Sequence, residues 1–348
     1  MNGWPINVKR IFLLTLFSVI ALCSLDAQDN FRVMFYNVEN LFDIKDNPIK
    51  NDDDFTPEGT LHWSSYRYWR KLDNIGCVIL EAGKMRPPAL VGLCEVENDS
   101  VLFDLTKRTS LRHHRYEYII SDSEDERGIN VALLYQRDEI KILETKEYPI
   151  DFGSLKPIKT RNILHVSGKI VNGDVLDIFI CHFKSRSGGI KKTRPYRIQS
   201  AEFLRQKVDS IMIVRKNAKI IVMGDFNDYP DDTSIYDSLG AKGTGDNISG
   251  NGLYNLFYNQ IKGKDSGSYK YRGKWFFPDQ FIVSGNLLES KAKTHVNGNK
   301  AFVFTADYLL INGDKHGGLM PFRTYSGWKY LEGYSDHLPI YMDLTVEE

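Results

Sequence analysis

Apolar and β-branched residues fall along the chain in short runs bounded by polar, Gly- and Asn-rich turns. Such runs predict strands at Phe31–Tyr36, Leu90–Cys94, Ile129–Tyr135, Ile163–Val171, Val175–Cys181, Ile220–Met223, Phe281–Val283 and Leu338–Leu344. Two stretches keep a helical period instead, one through Tyr68, Leu72, Ile75 and Ile79, the other through Ile198, Phe203, Leu204 and Ile211. Strands with intervening helices, plus strand pairs joined by tight turns such as Asn172-Gly173-Asp174, predict an α/β architecture of mixed sheets with helices outside them. No Pro/Ser-rich linker divides the chain, so one domain is expected. The segment Ala241–Gly273, rich in Gly, Asn, Ser and Lys, predicts long loops at one end of the sheets. The acidic stretch Asn51-Asp52-Asp53-Asp54 predicts a solvated turn.

The first residues break this pattern. Lys9 and Arg10 precede the apolar run Ile11 to Leu22, whose 12 residues fall short of the roughly 20 that span a bilayer as a helix. A polar stretch ending in the small residue Ala27 follows, so residues 1–27 read as a secretory signal peptide cleaved after Ala27. That leaves residues 28–348 as an exported domain, periplasmic or extracellular, with no stable membrane insertion. Two other fates stay open: an uncleaved anchor, or lipid attachment at Cys23, for which Leu22 is a poor preceding residue. The remaining Cys77, Cys94 and Cys181 are odd in number, cannot form a disulfide framework, and read as buried thiols.

Composition narrows the classes further. The 45 Lys plus Arg balance the 45 Asp plus Glu, and 42% of residues are hydrophobic, which excludes a disordered chain and a strongly basic nucleic-acid carrier. An enzyme acting on nucleic acid through a local basic patch is not excluded.

Chemistry-bearing residues gather at strand ends. Asp225 and Asn227 follow the apolar run Ile220–Met223; in extended backbone they would point the same way. Glu95 ends the run Leu90–Cys94, where burial is unfavourable unless the carboxylate is paired or holds a cation. Asn37 closes the first strand, His182 closes Val175–Cys181, and Asp279 stands at the mouth of the strand at Phe281. The triplet Ser335-Asp336-His337 leads into the last strand, and its turn can send Asp336 and His337 to different partners. Each segment alone reads equally as turn chemistry. Together they form a site hypothesis, and their carboxylate and amide oxygens suit Mg²⁺, Mn²⁺ or Ca²⁺.

Taken in order, these motifs resemble the endonuclease/exonuclease/phosphatase superfamily of metal-dependent phosphoesterases. The first-strand Asn37, Glu95, the central His182, the Gly224-Asp225-Phe226-Asn227 segment and the closing Ser335-Asp336-His337 match its pattern, from about Phe31 to Leu344. The resemblance implies a four-layer α/β sandwich with two facing mixed sheets flanked by helices, and the site at one end. It implies that Asn37, Glu95 and Asp336 hold Mg²⁺ or Mn²⁺, and that Asp279 orients His337 as a general base. It further implies that Asp225 and Asn227 position water and phosphate while His182 assists the leaving oxygen. The opening YNVENLFD and the segment SYKYRGKW look most like exported bacterial members. His182 stands where the abasic-site repair branch has tyrosine, and is similar instead to the deoxyribonuclease, sphingomyelinase and inositol-phosphatase branches.

Substrate choice rests on fewer residues. Lys184, Arg186, Lys191, Lys192, Arg194 and Arg197 lie within 14 residues without an acidic residue among them, a cluster able to track a polyanionic backbone or simply to face solvent. Ser187-Gly188-Gly189 would let the backbone approach a phosphate, and Arg127 is a further phosphate contact. The expected partner is therefore a phosphate ester, nucleic acid first, with no protein partner. Trp275-Phe276-Phe277, near Asp279, keeps a lipid substrate open. A small phosphomonoester and a catalytically silent surface binding protein are the remaining readings.

Overall fold

The computed structural model describes residues 31–245, 247–261, 266–313 and 316–347. The segment read as a signal peptide lies outside them. Two seven-stranded sheets dominate. The first contains β1 (Phe31–Leu41), β2 (Leu90–Val96), β3 (Tyr116–Ile120), β4 (Asn130–Gln136), β14 (Thr294–Val296), β15 (Phe302–Val303) and β20 (Ile340–Val346), in the order β14-β20-β1-β2-β4-β3 with β15 beside β20. The second contains β5 (Ile140–Tyr148), β6 (Ile163–Ile170), β7 (Val175–His182), β8 (Lys219–Asp225), β9 (Ala241–Gly243), β10 (Leu253–Asn255) and β13 (Asp279–Ser284), in the order β5-β6-β7-β8-β13-β10-β9. Three hairpins stand apart: β11 (Tyr269–Tyr271) with β12 (Lys274–Phe276), β16 (Leu310–Asn312) with β17 (Leu319–Pro321), and β18 (Tyr325–Ser326) with β19 (Lys329–Tyr330).

The alternation of side chains along each strand explains the layering. In β1, Val33 and Phe35 join Val166, Ile178, Ile180 and Met223 of the second sheet in a core between the sheets. Met34 and Tyr36 face the other way, onto α1 (Ser65–Gly83) and α2 (Asp99–Arg108), whose Leu72, Ile75, Ile79, Leu102 and Leu105 cover that face. On the outer face of the second sheet, Phe179, Ile220 and Val222 pack on Ala201, Leu204 and Val208 of α3 (Ile190–Val214). The result is a four-layer α/β/β/α sandwich. The sheets approach closely at Gly92, where an added Cβ would stand 2.8 Å from the Met223 side chain.

Both sheets are mixed: β1 runs parallel to β2 and β7 parallel to β8, while the other pairings within the central strands are antiparallel. Parallel neighbours end together, so registers Asn37↔Cys94 and His182↔Asp225 bring polar residues to one edge, and Asp279↔Asp225 adds a third strand.

The eight expected strands and two expected helices are present, with several additions. α2, capped by the Asn98 side chain accepting from Val101 N at 3.0 Å, was hidden in a polar stretch. β5 was hidden by its charge, as in edge strands protected against further pairing. The segment 241–273 is not simply loop, since β9, β10 and β11 lie within it. In the acidic stretch Asn51, Asp53 and Asp54 are exposed as expected, whereas Asp52 is buried and accepts from Asn47 N at 3.2 Å. Cys94 and Cys181 are buried free thiols, whereas Cys77 is half-buried. Phe277 belongs to the core, whereas Trp275 packs partly buried against the first sheet's outer cluster and Phe276 is half-buried at the cleft.

Candidate active site

The ends of β1, β2, β7, β8 and β13 converge on a cleft of about 1020 Å³ lined by Glu95, His182, Asp225, Asn227, Asp336 and His337, among others. Asn37 and Asp279 stand behind this lining. Asn37 Nδ2 donates to Asp225 Oδ2 at 3.1 Å, and Asp279 Oδ2 meets His337 Nδ1 at 2.6 Å.

The turn carrying His337 is pinned from below. Ser335 Oγ donates to the Asn37 carbonyl at 2.7 Å and accepts from His337 N at 3.1 Å, tying the closing triplet to the first strand. Ser268 Oγ donates to Asp279 Oδ2 at 2.5 Å, and the Tyr269 ring lies over His337 with centroids 4.7 Å apart. The adjacent residues do part: Asp336 Oδ2 accepts from Arg323 Nη2 at 2.8 Å while His337 turns to Asp279.

Glu95 sits at a left-handed backbone position, φ 63°, where β2 bulges against β4. Its Oε2 accepts from Asn40 N at 2.9 Å. Its Oε1 faces more distant groups, Arg127 Nη2 at 3.7 Å and His182 Nε2 at 3.9 Å. Burial pushes the Glu95 carboxyl up, but Arg127, His337, the Asn40 N–H and Arg161 outweigh burial and hold it below its usual range. Asn227 also adopts a left-handed backbone, φ 52°. The expected extended geometry placing it beside Asp225 is therefore wrong: β8 ends at Asp225, whose Oδ1 accepts from Asn227 N at 2.9 Å, while Asn227 Nδ2 donates to the Phe183 carbonyl at 3.2 Å.

The electrostatics are those of crowded negative charge. Asp225 is pushed up to about 7 by burial and by neighbouring Asp279. For His337, burial lowers the pKa, but Asp279, Asp336 and Asp225 prevail and push it up to about 10. His182 is driven the other way, well below its ordinary value, by burial and then by Arg161, Arg127 and His337. It is a neutral imidazole at pH 7, 3.8 Å from Asp225 Oδ2.

Carboxylates that gather protons in this way fit a divalent cation, whose charge would offset the excess. Of the three expected ligands, Glu95 Oε1 has no hydrogen-bond donor in reach among the described residues, whereas Asp336 Oδ2 is held by Arg323 and the Asn37 amide oxygen accepts from Glu39 N at 3.0 Å. Asp225, Asp279 and His337 form a possible metal-binding cluster of their own, with ligand atoms all within 4.8 Å of one another. In that cluster His337 Nδ1 and Asp279 Oδ2 are already engaged with each other.

Within the basic segment after His182, Arg186 and Arg197 are committed inside the protein, while Lys191, Lys192 and Arg194 are exposed. Arg186 Nη2 donates to Asp228 Oδ1 at 2.8 Å and to Asp232, Nε donates to the Asn227 carbonyl at 2.7 Å, and the guanidinium lies over Tyr229. Arg197 is fully buried, with Nε 2.8 Å from Asp228 Oδ2. Lys184 and Arg127 line the cleft, and Arg127 Nη1 donates to Asn40 Oδ1 at 3.2 Å.

Several site residues carried no sequence signal. Arg161 donates to the His182 and Phe183 carbonyls and to Asp125, yet it is an isolated arginine in a loop. Arg323 is another. Glu39 and buried Lys71 stand behind Asp336: Glu39 Oε2 accepts from Thr324 N at 2.7 Å, and Lys71 Nζ lies 3.9 Å from it. Glu39, two residues after Asn37 in the opening motif, could have been found there.

Comparison with known proteins agrees with this architecture. The Endonuclease/Exonuclease/phosphatase family model matches residues 32–346. No curated protein matches the chain in sequence. Among solved structures, the chain is similar to an endonuclease/exonuclease/phosphatase family protein from Bacteroides thetaiotaomicron, at 17% identity, with 92% of this chain and 98% of that one covered and a TM-score of 0.55. It is similar to a mannosyl-6-phosphatase of the same organism at 19% identity, covering 90% of this chain and 99% of that one, TM-score 0.56. D. rerio TDP2 complexed with single strand DNA product is 15% identical, covering 91% of this chain and 99% of that one, TM-score 0.51. At such identities the structural likeness shows the fold, and the family match spans nearly every described residue. The chain therefore belongs to the endonuclease/exonuclease/phosphatase family of phosphoester hydrolases.

Proposed function

We propose that the protein is an exported, divalent-metal-dependent phosphodiesterase of nucleic acid. The observation that carries the reading is the buried Asp279–His337 pair, 2.6 Å apart, set against Glu95, Asp225 and neutral His182 in one cleft. Asp279 accepts from His337 Nδ1–H; because Asp279, Asp336 and Asp225 favour protonated His337, the ring first sheds its Nε2 proton to solvent, and Nε2 then takes a proton from water as that water attacks phosphorus. The phosphorus–oxygen bond opposite the attacking water breaks, and the leaving oxygen takes its proton from solvent water in the open cleft. Asp225 and Asn227 position the water and the scissile phosphate. His182, being neutral, donates a hydrogen bond from Nε2 and does not act as an acid. Glu95, Asp336 and Asn37 would hold Mg²⁺ or Mn²⁺, which supplies Lewis-acid stabilisation of the phosphate charge when bound.

Nucleic acid is favoured by the cleft lining, which combines exposed Lys159 and Arg272 with Tyr229, Tyr271 and Phe276. Cations that track phosphates and aromatic faces that stack bases together suit a single strand. Export rests on residues 1–27. A small phosphomonoester is the second reading, favoured because Arg186 and Arg197 are committed to Asp228 and extend no track along a polymer.

The test is hydrolysis of plasmid and single-stranded DNA by the purified protein with Mg²⁺ or Mn²⁺, against EDTA and His337→Ala. Metal-dependent cleavage lowered about 10²-fold or more in the variant supports the reading. Hydrolysis of small phosphomonoesters but of neither DNA substrate overturns the nucleic-acid assignment, and full turnover by folded His337→Ala overturns the role of His337.

A further inference from the structure

Beside the catalytic cleft lies a second pocket of about 280 Å³, walled by Phe55, Trp63, Tyr325 and Trp328 with Glu39 and Arg323 at its polar end. The two hollows share a wall. Arg323, which lines the second pocket, donates to Asp336 of the cleft at 2.8 Å, and Asn40 accepts from Arg127 of the cleft at 3.2 Å. A substrate whose phosphate sits by Glu95 and Asp336 can therefore place a neighbouring group here.

We propose that this pocket is a nucleobase subsite, in which Trp328 stacks on the base next to the scissile phosphate. The proposal rests on the phosphodiesterase reading above. Trp328 follows Gly327, whose φ of 58° makes the tight turn between β18 and β19, and it is 68% exposed. Among the described residues no other ring stacks on it. The opposite wall is rigid and already satisfied: Trp63 Nε1 donates to the Phe42 carbonyl at 3.0 Å, Tyr325 Oη donates to the Leu61 carbonyl at 3.0 Å, and Phe55 stacks on Phe42 at 4.4 Å.

This economy of free polar groups selects the ligand. A sugar ring brings several hydroxyls that each need a partner, and leaving them unpaired is unfavourable. A base needs chiefly an aromatic face, and every base has one. At the polar end Glu39 accepts from Thr324 N at 2.7 Å and from Arg323 Nε at 3.5 Å, and Arg323 Nη2 donates to Asp336 at 2.8 Å, so these groups are already engaged with one another.

The experiment compares wild type with Trp328→Ala by two readouts. In EDTA, tryptophan emission is titrated with adenosine 5′-monophosphate and, separately, with mannose 6-phosphate. With Mg²⁺, KM is measured for a single-stranded oligonucleotide and for bis(p-nitrophenyl) phosphate. Stacking of one base predicts that the variant raises the oligonucleotide KM about 5- to 150-fold relative to its effect on the small diester, and that it loses the adenosine monophosphate quench. An unaltered ratio of KM values, or equal nucleotide binding by both proteins, overturns the subsite while leaving the nuclease reading intact. Binding of mannose 6-phosphate in preference to the nucleotide overturns it in favour of a sugar. Trp328-dependent nucleotide binding by a wild type that cleaves no oligonucleotide upholds the subsite and sinks the phosphodiesterase reading instead.

Discussion

Asp228 offers a direct test of how burial sets the worth of a charge. Its carboxylate is 4% exposed; Oδ1 accepts from Arg186 Nη2 at 2.8 Å and Oδ2 accepts from Ser234 Oγ at 2.7 Å. Arg197, whose side chain is 0% exposed, approaches Oδ2 at 2.8 Å. Asp228→Ala would leave the Arg197 guanidinium charged and buried with only the Lys184 carbonyl and Thr193 hydroxyl for company. Breaking a buried pair from one side costs about 3–5 kcal/mol. That is a large part of a native stability of roughly 5–15 kcal/mol. With a denaturant slope of about 5 kcal/mol/M in guanidinium chloride, the unfolding midpoint should fall by roughly 0.6–1 M. The control is Asp209→Ala, which removes the Arg205–Asp209 pair at the same 2.8 Å separation but with side chains 32% and 46% exposed. That change should stay within about 0.5 kcal/mol. Circular dichroism at both variants' midpoints decides. Equal losses would show that distance and not burial governs these pairs, and would refute the reasoning.

Two further outcomes concern Asp279 at the cleft and Glu97, a buried carboxylate just past β2 whose Oε2 accepts from Asp43 N at 2.6 Å. Asp279→Asn presents an amide where His337 Nδ1 now meets a carboxylate at 2.6 Å, so turnover should drop about 10²- to 10⁴-fold in a folded protein, and the acid limb of the pH–rate profile should move to lower pH; an unchanged limb would detach Asp279 from the titration. Glu97, pushed up to about 7 chiefly by burial, binds its proton more tightly folded than unfolded, so its contribution is complete below pH 4.5 and vanishes as pH rises through 7. Urea titrations across pH 4.5–7 should show a smaller loss of stability with rising pH in Glu97→Gln than in wild type, and an identical profile would place that carboxyl in ordinary solvent.

Much of this protein is written locally. Near-continuous apolar runs in Phe31–Tyr36 and Ile220–Met223 specify strands buried on both faces, because each side chain direction needs its own cover of sheet or helix. The order of Asn37, Glu95, His182, Asp225, Asp279 and His337 at strand ends was legible for the same reason: where an apolar run stops, the next polar side chain stands at the rim. Edge strand β5 escaped because its charged residues suppress the alternation that marks a strand.

What a linear reading lacks is register and neighbourhood. Only pairing of β7, β8 and β13 sets His182, Asp225 and Asp279 side by side; there burial and Asp279 push Asp225 up, while burial with Arg161, Arg127 and His337 drives His182 down. The run of basic residues after His182 looked like a polyanion track, yet packing of α3 turns Arg197 inward onto Asp228. Arg161, Arg323 and Lys71 had no local pattern at all, since their roles arise from carbonyls and carboxylates that are distant in the chain. Composition and period determined the layers, which depend on short-range burial of apolar faces. Charge state, the pinned loops and the pocket at Trp328 were decided by the tertiary structure, because electrostatic fields and concavities belong to groups brought together from many strands at once.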